Sequence, residues 1–432
     1  MLVVRGRLAP LAVRPFGRLL SSYTLNELGD SVGLVALAVL VYDRTEDVAA
    51  TTAFFFAAKF LPALLAPLLT ARVDQIALRR SLPALYVTEA LAFAALALIA
   101  HGDFVLVPVL LLGLVDGTLA LTGRGLTRGA VATVLQPAEL LKEGNALLNV
   151  GFALSAVFGT ALGGLLIAEL GISTALLVDA ASFLVIAALL AVTRGLPSAE
   201  VEREPFRRRF RDGLSFARRH RLVRALLVGE AAAMMLFTLV IPIEVIYAKE
   251  SLHTTSAGFG VLLASWGAGI VVGSVIYLSV KGRSALTLII LSTAAIGAAY
   301  LGMAASNTLL AACLFSVLGG AGNGVQWIAV VTALQEATPS DYQARTTGLL
   351  ESIGAAMPGV GYLIGGALVA IGSPRTAYAV AGAGVLALVA ASIVLRPRLE
   401  GHAAPFVVSA QAGDILAPSP PAPLEPSGRE AR

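Results

Sequence analysis

The stretch "LLSSYTLNELGDSVGLVALAVLVY", residues 19–42, is long and apolar enough to cross a membrane, because about 20 mainly apolar residues in a helix span the hydrocarbon core. It nevertheless carries Asn26, Glu27 and Asp30 near its centre. A carboxylate in the middle of a transmembrane helix costs roughly 2.5–3.5 kcal/mol on insertion scales, so such residues are rare and usually functional. The stretch therefore predicts a membrane-spanning helix whose central polar side chains have a functional role.

The rest of the chain has the same apolar character. Hydrophobic residues make up 57% of the 432 residues and charged residues only 13%, and the mean hydropathy is +0.84. Soluble domains carry about 25% charged residues, so we predict an all-α integral membrane protein. The one cysteine, Cys313, excludes a disulfide framework and a thiolate metal site, and we expect no metal. The net charge of +4 reflects basic loops, not nucleic-acid binding.

Apolar runs separated by charged or Gly- and Pro-containing breaks predict twelve transmembrane helices. They cover residues 17–42, 47–71, 80–101, 104–130, 143–169, 172–194, 222–247, 257–280, 284–304, 307–334, 344–371 and 375–396. Basic residues are concentrated in every second connection, whereas the alternate connections are short and neutral or acidic. Because basic loops stay in the cytoplasm, we expect both termini there and the protein in a bacterial cytoplasmic membrane.

The long basic connection at residues 195–221 divides the predicted helices into two sets of six. Within it, Phe206, Phe210 and Leu214 recur at helical spacing among arginines, which is typical of an amphipathic helix lying on anionic lipid. A basic linker without such a helix is the alternative. The predicted parts are a cytoplasmic N-terminus, an N-terminal bundle, the linker, a C-terminal bundle and a disordered cytoplasmic tail, at residues 1–16, 17–194, 195–221, 222–396 and 397–432.

An internal repeat relates the two halves. A shift of 202 residues lays "GTALGGLLIAELG" (159–171) on "GYLIGGALVAIG" (361–372). The shift matches three helix-packing glycines of each half, namely Gly159, Gly163 and Gly164 with Gly361, Gly365 and Gly366. A duplicated six-helix unit is typical of transporters whose substrate path lies between the halves. The glycines let two helix backbones approach closely, and their repetition predicts surfaces that slide or rock.

Four stretches of the first half carry further motifs: "TARVDQIALRR" (70–80), "GRGLTRGAVATVLQPAEL" (123–140), "SAVFGTALGG" (155–164) and "LLVDAASFLV" (176–185). They resemble the major facilitator superfamily, and within it the bacterial drug-exporter branch of macrolide-efflux and enterobactin-exporter relatives. The resemblance covers roughly residues 15–396. It implies the major facilitator fold, with twelve transmembrane helices in two pseudo-symmetric six-helix bundles.

The resemblance also implies a gating loop between the second and third spans. Asp74, Arg79 and Arg80 match the family's loop motif, although its glycine and the base after the aspartate are absent here. Arg128, near the end of the fourth span, stands at the family's usual basic position. For Arg128 and its neighbour Arg124, two interpretations remain open. They face solvent or lipid phosphate, or they anchor a cytoplasmic gate through a carboxylate of another span.

Depth along the spans places five polar residues near the membrane midplane: Asn26, Glu27, Lys59, Asp30 and Asp116. One hypothesis is that Lys59 pairs with one acid. The other carboxyls, partly desolvated, would then exchange a proton for a cationic or amphipathic substrate in a central cavity. The alternative is that all of these residues are hydrogen-bonded packing residues or stay protonated.

Further candidates for the cavity lie in later spans. The weaker ones are Asp179, Glu230 and Trp266. In the tenth span, Asn323, Gln326 and Trp327 follow at i, i+3 and i+4, so we expect them to share one face and to line the cavity. Ordinary hydrogen bonding between helices is the alternative for this group.

These observations predict a secondary active transporter that exports small amphipathic compounds by proton antiport and alternating access, as in multidrug-type efflux. We expect a monomer with no cofactor, driven by the proton gradient, since no Walker A sequence occurs. We expect no enzymatic activity and no catalytic residues. The alternatives are export of a specific endogenous metabolite or siderophore, or a transport-dead membrane scaffold or sensor.

Overall fold

The computed structural model describes residues 8–73, 76–193, 195–196, 206–280 and 283–400. This part consists of helices and short connections without strands, and twelve of the helices are long and apolar enough to cross a membrane. Ten are continuous: α1 Phe16–Thr45, α3 Leu78–His101, α4 Leu106–Leu135, α5 Leu141–Leu170, α6 Ile172–Ala191, α8 Ser256–Ser279, α9 Ala285–Ala305, α10 Leu309–Glu336, α11 Ser340–Ile371 and α12 Pro374–Glu400. The predicted all-α fold with twelve transmembrane helices is confirmed.

The two remaining helices are irregular. The helix α2 runs through Val48–Phe55, a π-helical turn Phe56–Phe60 and Leu61–Val73. The helix α7 begins as Arg221–Thr238 and continues through a 3-10 turn Ile241–Ile243 and a π-helical turn Tyr247–Ser251. The break in α7 coincides with Pro242, where the missing amide hydrogen interrupts the regular bonding pattern.

Side-chain caps mark where three of the helices begin. Asp47 accepts a hydrogen bond from the Ala49 amide at the start of α2. Thr255 accepts from the Gly258 amide before α8, and Thr308 accepts from the Ala311 amide before α10. Each cap satisfies an amide that has no partner within its own helix.

Some boundaries differ from the predicted ones. The helix α4 continues to Leu135 instead of ending at residue 130, and α11 begins at Ser340 instead of residue 344. The helix α12 continues to Glu400, so residues 397–400 are helical and not part of a disordered tail. The rest of the predicted tail, residues 401–432, lies outside the described residues.

The helices pack as two groups with matching internal contacts. In the first group α1 packs on α5 and α6, and α3 packs on α6. In the second group α7 packs on α11 and α12, and α9 packs on α12. Between the groups, α5 packs on α8 and α2 packs on α11.

The repeated glycines lie at the contacts that define this arrangement. Gly159 and Gly163 of α5 lie against α1, and Gly361 and Gly365 of α11 lie in the same way against α7. The third glycine of each motif crosses between the groups, because Gly164 lies against Gly260 of α8 and Gly366 lies against Thr52 of α2. The sequence repeat is therefore also a repeat of contacts.

The two groups are joined at the side opposite the linker. Near these helix ends, the Tyr42 hydroxyl donates to Glu250 at 2.5 Å, and Lys249 forms an ion pair with Asp43. The side on which α1 starts and α6 ends is called the linker side here. In the halves of the helices nearer that side, Gly125 of α4 and Gly354 of α11 have no atom within 4 Å of where a Cβ would stand.

The predicted linker helix is present as Phe206–Arg219. It packs on α11, where a Cβ on Gly213 would lie 2.9 Å from the Arg345 carbonyl oxygen, and its Phe216 is buried and stacks on Tyr342. The side chains of Phe206 and Phe210 lie outside the description. The described apolar side chains of this helix thus face the second group of helices.

Replacing Gly164 by valine should destabilise the contact between α5 and α8. A Cβ at this position would lie 2.6 Å from the Ser256 carbonyl oxygen and 3.0 Å from the Gly260 Cα. Overpacking of a tight contact costs about 1–3 kcal/mol, so the midpoint of thermal unfolding in detergent should fall. Gly125→Val is the matched control, because its Cβ meets open space. Equal midpoints for the two variants would contradict the tight contact.

Candidate functional site

A polar cavity of about 110 Å³ lies among α1, α2 and α4. Apolar side chains form part of its wall. The charged residues that line it are Asp30, Lys59, Asp116 and Arg124. This group is called the midplane cluster below, and Glu27 and Asn26 adjoin it from α1. The structure thus brings together most of the residues predicted near the membrane midplane, and adds Arg124 to them.

Arg124 of α4 reaches the acids of α1. Its Nη2 donates to Glu27 Oε2 at 3.0 Å, and its Nε lies 2.6 Å from Glu27 Oε1. The Nε–H does not point at Oε1, so the second contact is an ion pair without a directed hydrogen bond. The Glu27 side chain is 4% exposed and that of Arg124 is 30% exposed. The pair therefore has a buried anionic end and a cationic end that water can reach.

Asp30 shares the same arginine more weakly. Its Oδ2 lies 3.5 Å from Arg124 Nη2 and accepts a hydrogen bond from Asn26 Nδ2 at 3.1 Å. Asn26 and Asp30 are four residues apart on one helix face, where side chains meet. Asn26 therefore fixes the position of Asp30 beside the guanidinium.

Lys59 occupies the π-helical turn of α2. Pro62 follows this turn and has no amide hydrogen, and the Leu61 amide bonds to Phe56 O, five residues back. Lys59 is exposed although it lies in the middle of a span, and it lines the midplane cavity. A lysine facing lipid at this depth would be costly, so we infer that the exposed face of Lys59 meets water in a cleft between the two groups of helices.

The expected pairing of Lys59 with an acid is not observed. Within the described part of the chain, Lys59 forms no ion pair, and Arg124 is the cation that neutralises Glu27 and Asp30. Of the two interpretations of Arg124, contact with a carboxylate of another span is the one observed. Arg128 has a different partner, since its Nη2 donates to the Tyr23 hydroxyl at 3.0 Å.

Asp116 is the least compensated acid of the midplane cluster. Its Oδ1 is buried and has no hydrogen-bond partner. Gly117, the next residue of α4, packs so closely on the Ala58 carbonyl oxygen of α2 that a side chain could not fit there. This contact holds Asp116 beside the turn that carries Lys59.

Two further acids lie behind the cluster. Asp179 is buried between α6 and α1, accepts from Ser182 Oγ at 3.2 Å, and lies against Gly29 and Gly33. It does not line the midplane cavity. Glu89 of α3 is fully buried, and neither carboxylate oxygen has a partner. Glu89 was not predicted from the sequence as a candidate residue, although it has the feature that identified Asp116, a carboxyl in the middle of an apolar run.

In the second group of helices, the three predicted residues of α10 lie in different surroundings. Gln326 is buried and its Nε2 donates to Glu230 Oε2 of α7 at 2.6 Å. Trp327 is 41% exposed and Asn323 is partly exposed. The expected common face is therefore wrong for Gln326. Trp266 packs inside the bundle, stacked on Tyr300 with ring centroids 5.7 Å apart.

The predicted gating loop is described only in part. Arg79 and Arg80 are exposed at the start of α3, and Asp74 lies outside the described residues. Among the described residues, no group of three or more His, Cys, Asp and Glu side chains is arranged to hold a metal ion.

The sequence matches the family described as transmembrane secretion effector over residues 5–404. No curated protein sequence matches the chain.

Solved transporters share the fold. A mutant of the nucleoside transporter NupG superposes with a TM-score of 0.71 at 13% identity, over 88% of this chain and 99% of that one. A POT family transporter in complex with a thioalcohol-conjugated peptide gives 0.68 at 11% identity, over 89% and 96%. The human organic anion transporter MFSD10 gives 0.57 at 18% identity, over 88% and 99%. At these identities the likeness concerns the major facilitator fold alone.

Replacing Arg124 by glutamine should destabilise the protein, because Glu27 would remain buried without its cation. Removing one partner of a buried ion pair costs about 3–5 kcal/mol, and the partial exposure of Arg124 puts our expectation at the lower end. Thermal unfolding in detergent measures the loss. The double variant R124Q/E27Q should recover most of it, and Arg128→Gln should cost much less. Equal losses for R124Q and R128Q would contradict the assigned pairing.

Proposed function

The chain belongs to the transmembrane secretion effector family, a group of membrane transporters of the major facilitator type, and from this premise we propose that it exports small amphipathic compounds in exchange for protons. The protein would work by alternating access in a bacterial cytoplasmic membrane, with the linker side in the cytoplasm. The observation that carries the proposal is the lone Asp116 carboxyl beside Lys59 and Arg124 in the midplane cavity.

Asp116 is the proposed proton carrier because Asp30 of the cluster and the adjoining Glu27 are already engaged. Glu27 holds the Arg124 guanidinium, and Asp30 is held between Arg124 and Asn26. A bare carboxylate at Asp116 would place negative charge on the buried Oδ1, which has no hydrogen-bond partner, and this is costly. Either a proton or a cationic group of the substrate removes this cost. Proton and substrate therefore compete for one site, which is the requirement for antiport.

The contacts between the two groups of helices suggest how the site would be exposed in turn. The side opposite the linker is closed by the Tyr42–Glu250 hydrogen bond and the Lys249–Asp43 ion pair. Exposed Lys59 and Arg128 indicate that water reaches the cleft from the linker side. Rocking about the glycine contacts of α5 with α8 and α2 with α11 would break these polar contacts and open the opposite side.

Replacing Asp116 by asparagine should abolish export driven by a pH gradient, because an amide cannot exchange the proton. We expect at least a tenfold loss of ΔpH-driven transport of a lipophilic cation such as ethidium in proteoliposomes. Asp179→Asn is the matched control, since that carboxyl is buried outside the midplane cavity. Full ΔpH-driven export by D116N would contradict the assigned proton carrier.

A second candidate, export of an anionic endogenous metabolite such as a siderophore, is favoured by Lys59. Its ammonium lines the cavity and forms no ion pair within the described part of the chain. An anionic substrate could form an ion pair with this ammonium and accept a hydrogen bond from it.

Replacing Lys59 by glutamine separates the two candidates. If the substrate is an anion, K59Q should lose transport and binding of that anion at least tenfold, because the one unpaired cation of the midplane cavity is removed. If the substrate is a lipophilic cation, K59Q should export it at least as well as the unmodified protein. Arg283→Gln is the control for a general loss of charge, because this arginine is exposed before α9 and lines neither cavity. No proton flux with any cation or anion would instead favour a transport-dead scaffold or sensor.

A further inference from the structure

A second cavity, of about 240 Å³, lies inside the C-terminal group of helices. It is formed by the linker-side halves of α7, α9, α10 and α12 and is called the C-terminal pocket here. Its walls are mainly Leu, Ile, Val and Ala side chains. None of its lining residues belongs to the midplane cavity, which is formed by the other half of the chain. The two cavities are therefore separate.

One carboxyl-bearing residue borders this apolar chamber. Glu230 of α7 lines the pocket and is 2% exposed. Its Oε2 accepts from Gln326 Nε2 at 2.6 Å, whereas its Oε1 is buried and has no hydrogen-bond partner. No lysine or arginine in the described ranges forms an ion pair with Glu230. A buried acceptor of this kind is costly to leave unpaired.

The rim of the pocket faces the lipid. Val228 of α7 is 63% exposed and Leu395 of α12 is 46% exposed, and both line the pocket. Neighbouring residues of α12, Ile393 and Val394, are also exposed and apolar. In a membrane-spanning bundle such a surface meets acyl chains. A molecule dissolved in the bilayer can therefore reach the pocket without passing through the central cleft.

We propose that the C-terminal pocket binds a small lipophilic amine from the bilayer, with its ammonium group at the Glu230 carboxylate and its apolar body among α7, α9 and α12. The inference rests on this cavity and its carboxyl, and it does not depend on the proposed export.

Size and charge restrict the ligand further. An apolar cavity of about 150 Å³ binds benzene, so this pocket accommodates an aromatic ring with a short alkyl chain. The remaining polar side chains among its lining residues, Thr293, Gln326 and Ser392, are uncharged. An anion would meet the Glu230 carboxylate without a compensating cation. An amine instead donates a charge-assisted hydrogen bond to the free oxygen.

The test measures binding of radiolabelled 4-phenylbutylamine to the full-length protein in phosphatidylcholine nanodiscs by equilibrium dialysis, with empty nanodiscs subtracted. Butylbenzene has the same apolar body and no amine, so it reports the pocket without the charge. Two variants separate the contributions: Glu230→Gln keeps the shape but removes the charge, and Gly229→Leu fills the pocket. A Cβ at Gly229 meets no atom within 4 Å, and leucine favours the helix, so G229L should fold.

We expect one saturable amine site, weakened at least tenfold in E230Q and in G229L. Butylbenzene binding should persist in E230Q and be lost in G229L. Gly354→Leu is the matched control, because this glycine also meets open space but does not line the pocket, and it should bind the amine normally.

Equal amine affinity of E230Q and the unmodified protein would overturn the proposal. Loss of amine binding in D116N with retention in G229L would also overturn it, because the amine would then occupy the midplane cavity.

Discussion

Arg124 places a permanent positive charge within a membrane-spanning helix, and the first half of the structure is arranged to accommodate it. Glu27 holds the guanidinium from α1, Asp30 adds a weaker contact, and Asn26 positions Asp30. A charge at this depth is tolerated only when it is paired or in contact with water, and Arg124 has both a buried partner and an exposed edge. This interaction joins α4 to α1 and leaves Asp116 as the acid lining the midplane cavity that has no ion pair within the described residues.

The glycine contacts impose the second constraint. In each half, two glycines bring the fifth helix of the unit onto its own first helix, and a third brings it onto the other half. Backbones that touch through glycine have no interlocking side chains, so small rotations do not require repacking. Directional hydrogen bonds, such as that from the Tyr42 hydroxyl to Glu250, occur instead on the side opposite the linker. In the proposed alternating access, the two groups of helices would rotate at these glycine contacts, and the polar contacts would determine which side is closed.

Sequence alone predicted the spans and the glycine repeat because both depend on local properties, namely apolar run length and spacing. It did not predict which cation neutralises the acids, because that depends on how α2 and α4 are rotated toward α1. The π-helical turn at Phe56–Phe60 changes the direction of Lys59, and no spacing rule anticipates it. The same limit applies to α10, where Gln326 turns to Glu230 while Trp327 remains exposed. Glu89 could have been predicted by the rule that identified Asp116, namely a carboxyl in the middle of an apolar run.

The distribution of buried charge differs between the halves despite their matched glycines. The first half buries Glu27, Glu89 and Asp179 and keeps Lys59 and Arg124 at a water-accessible cavity. In the second half Glu230, hydrogen-bonded to Gln326, borders a pocket whose walls are mainly apolar. Electrostatic interactions strengthen as water is excluded, so the proposed opening and closing of the cleft would change the energy of the first half far more than that of the second. The proposed proton coupling is therefore assigned to the first half, and the proposed binding of an apolar amine to the second.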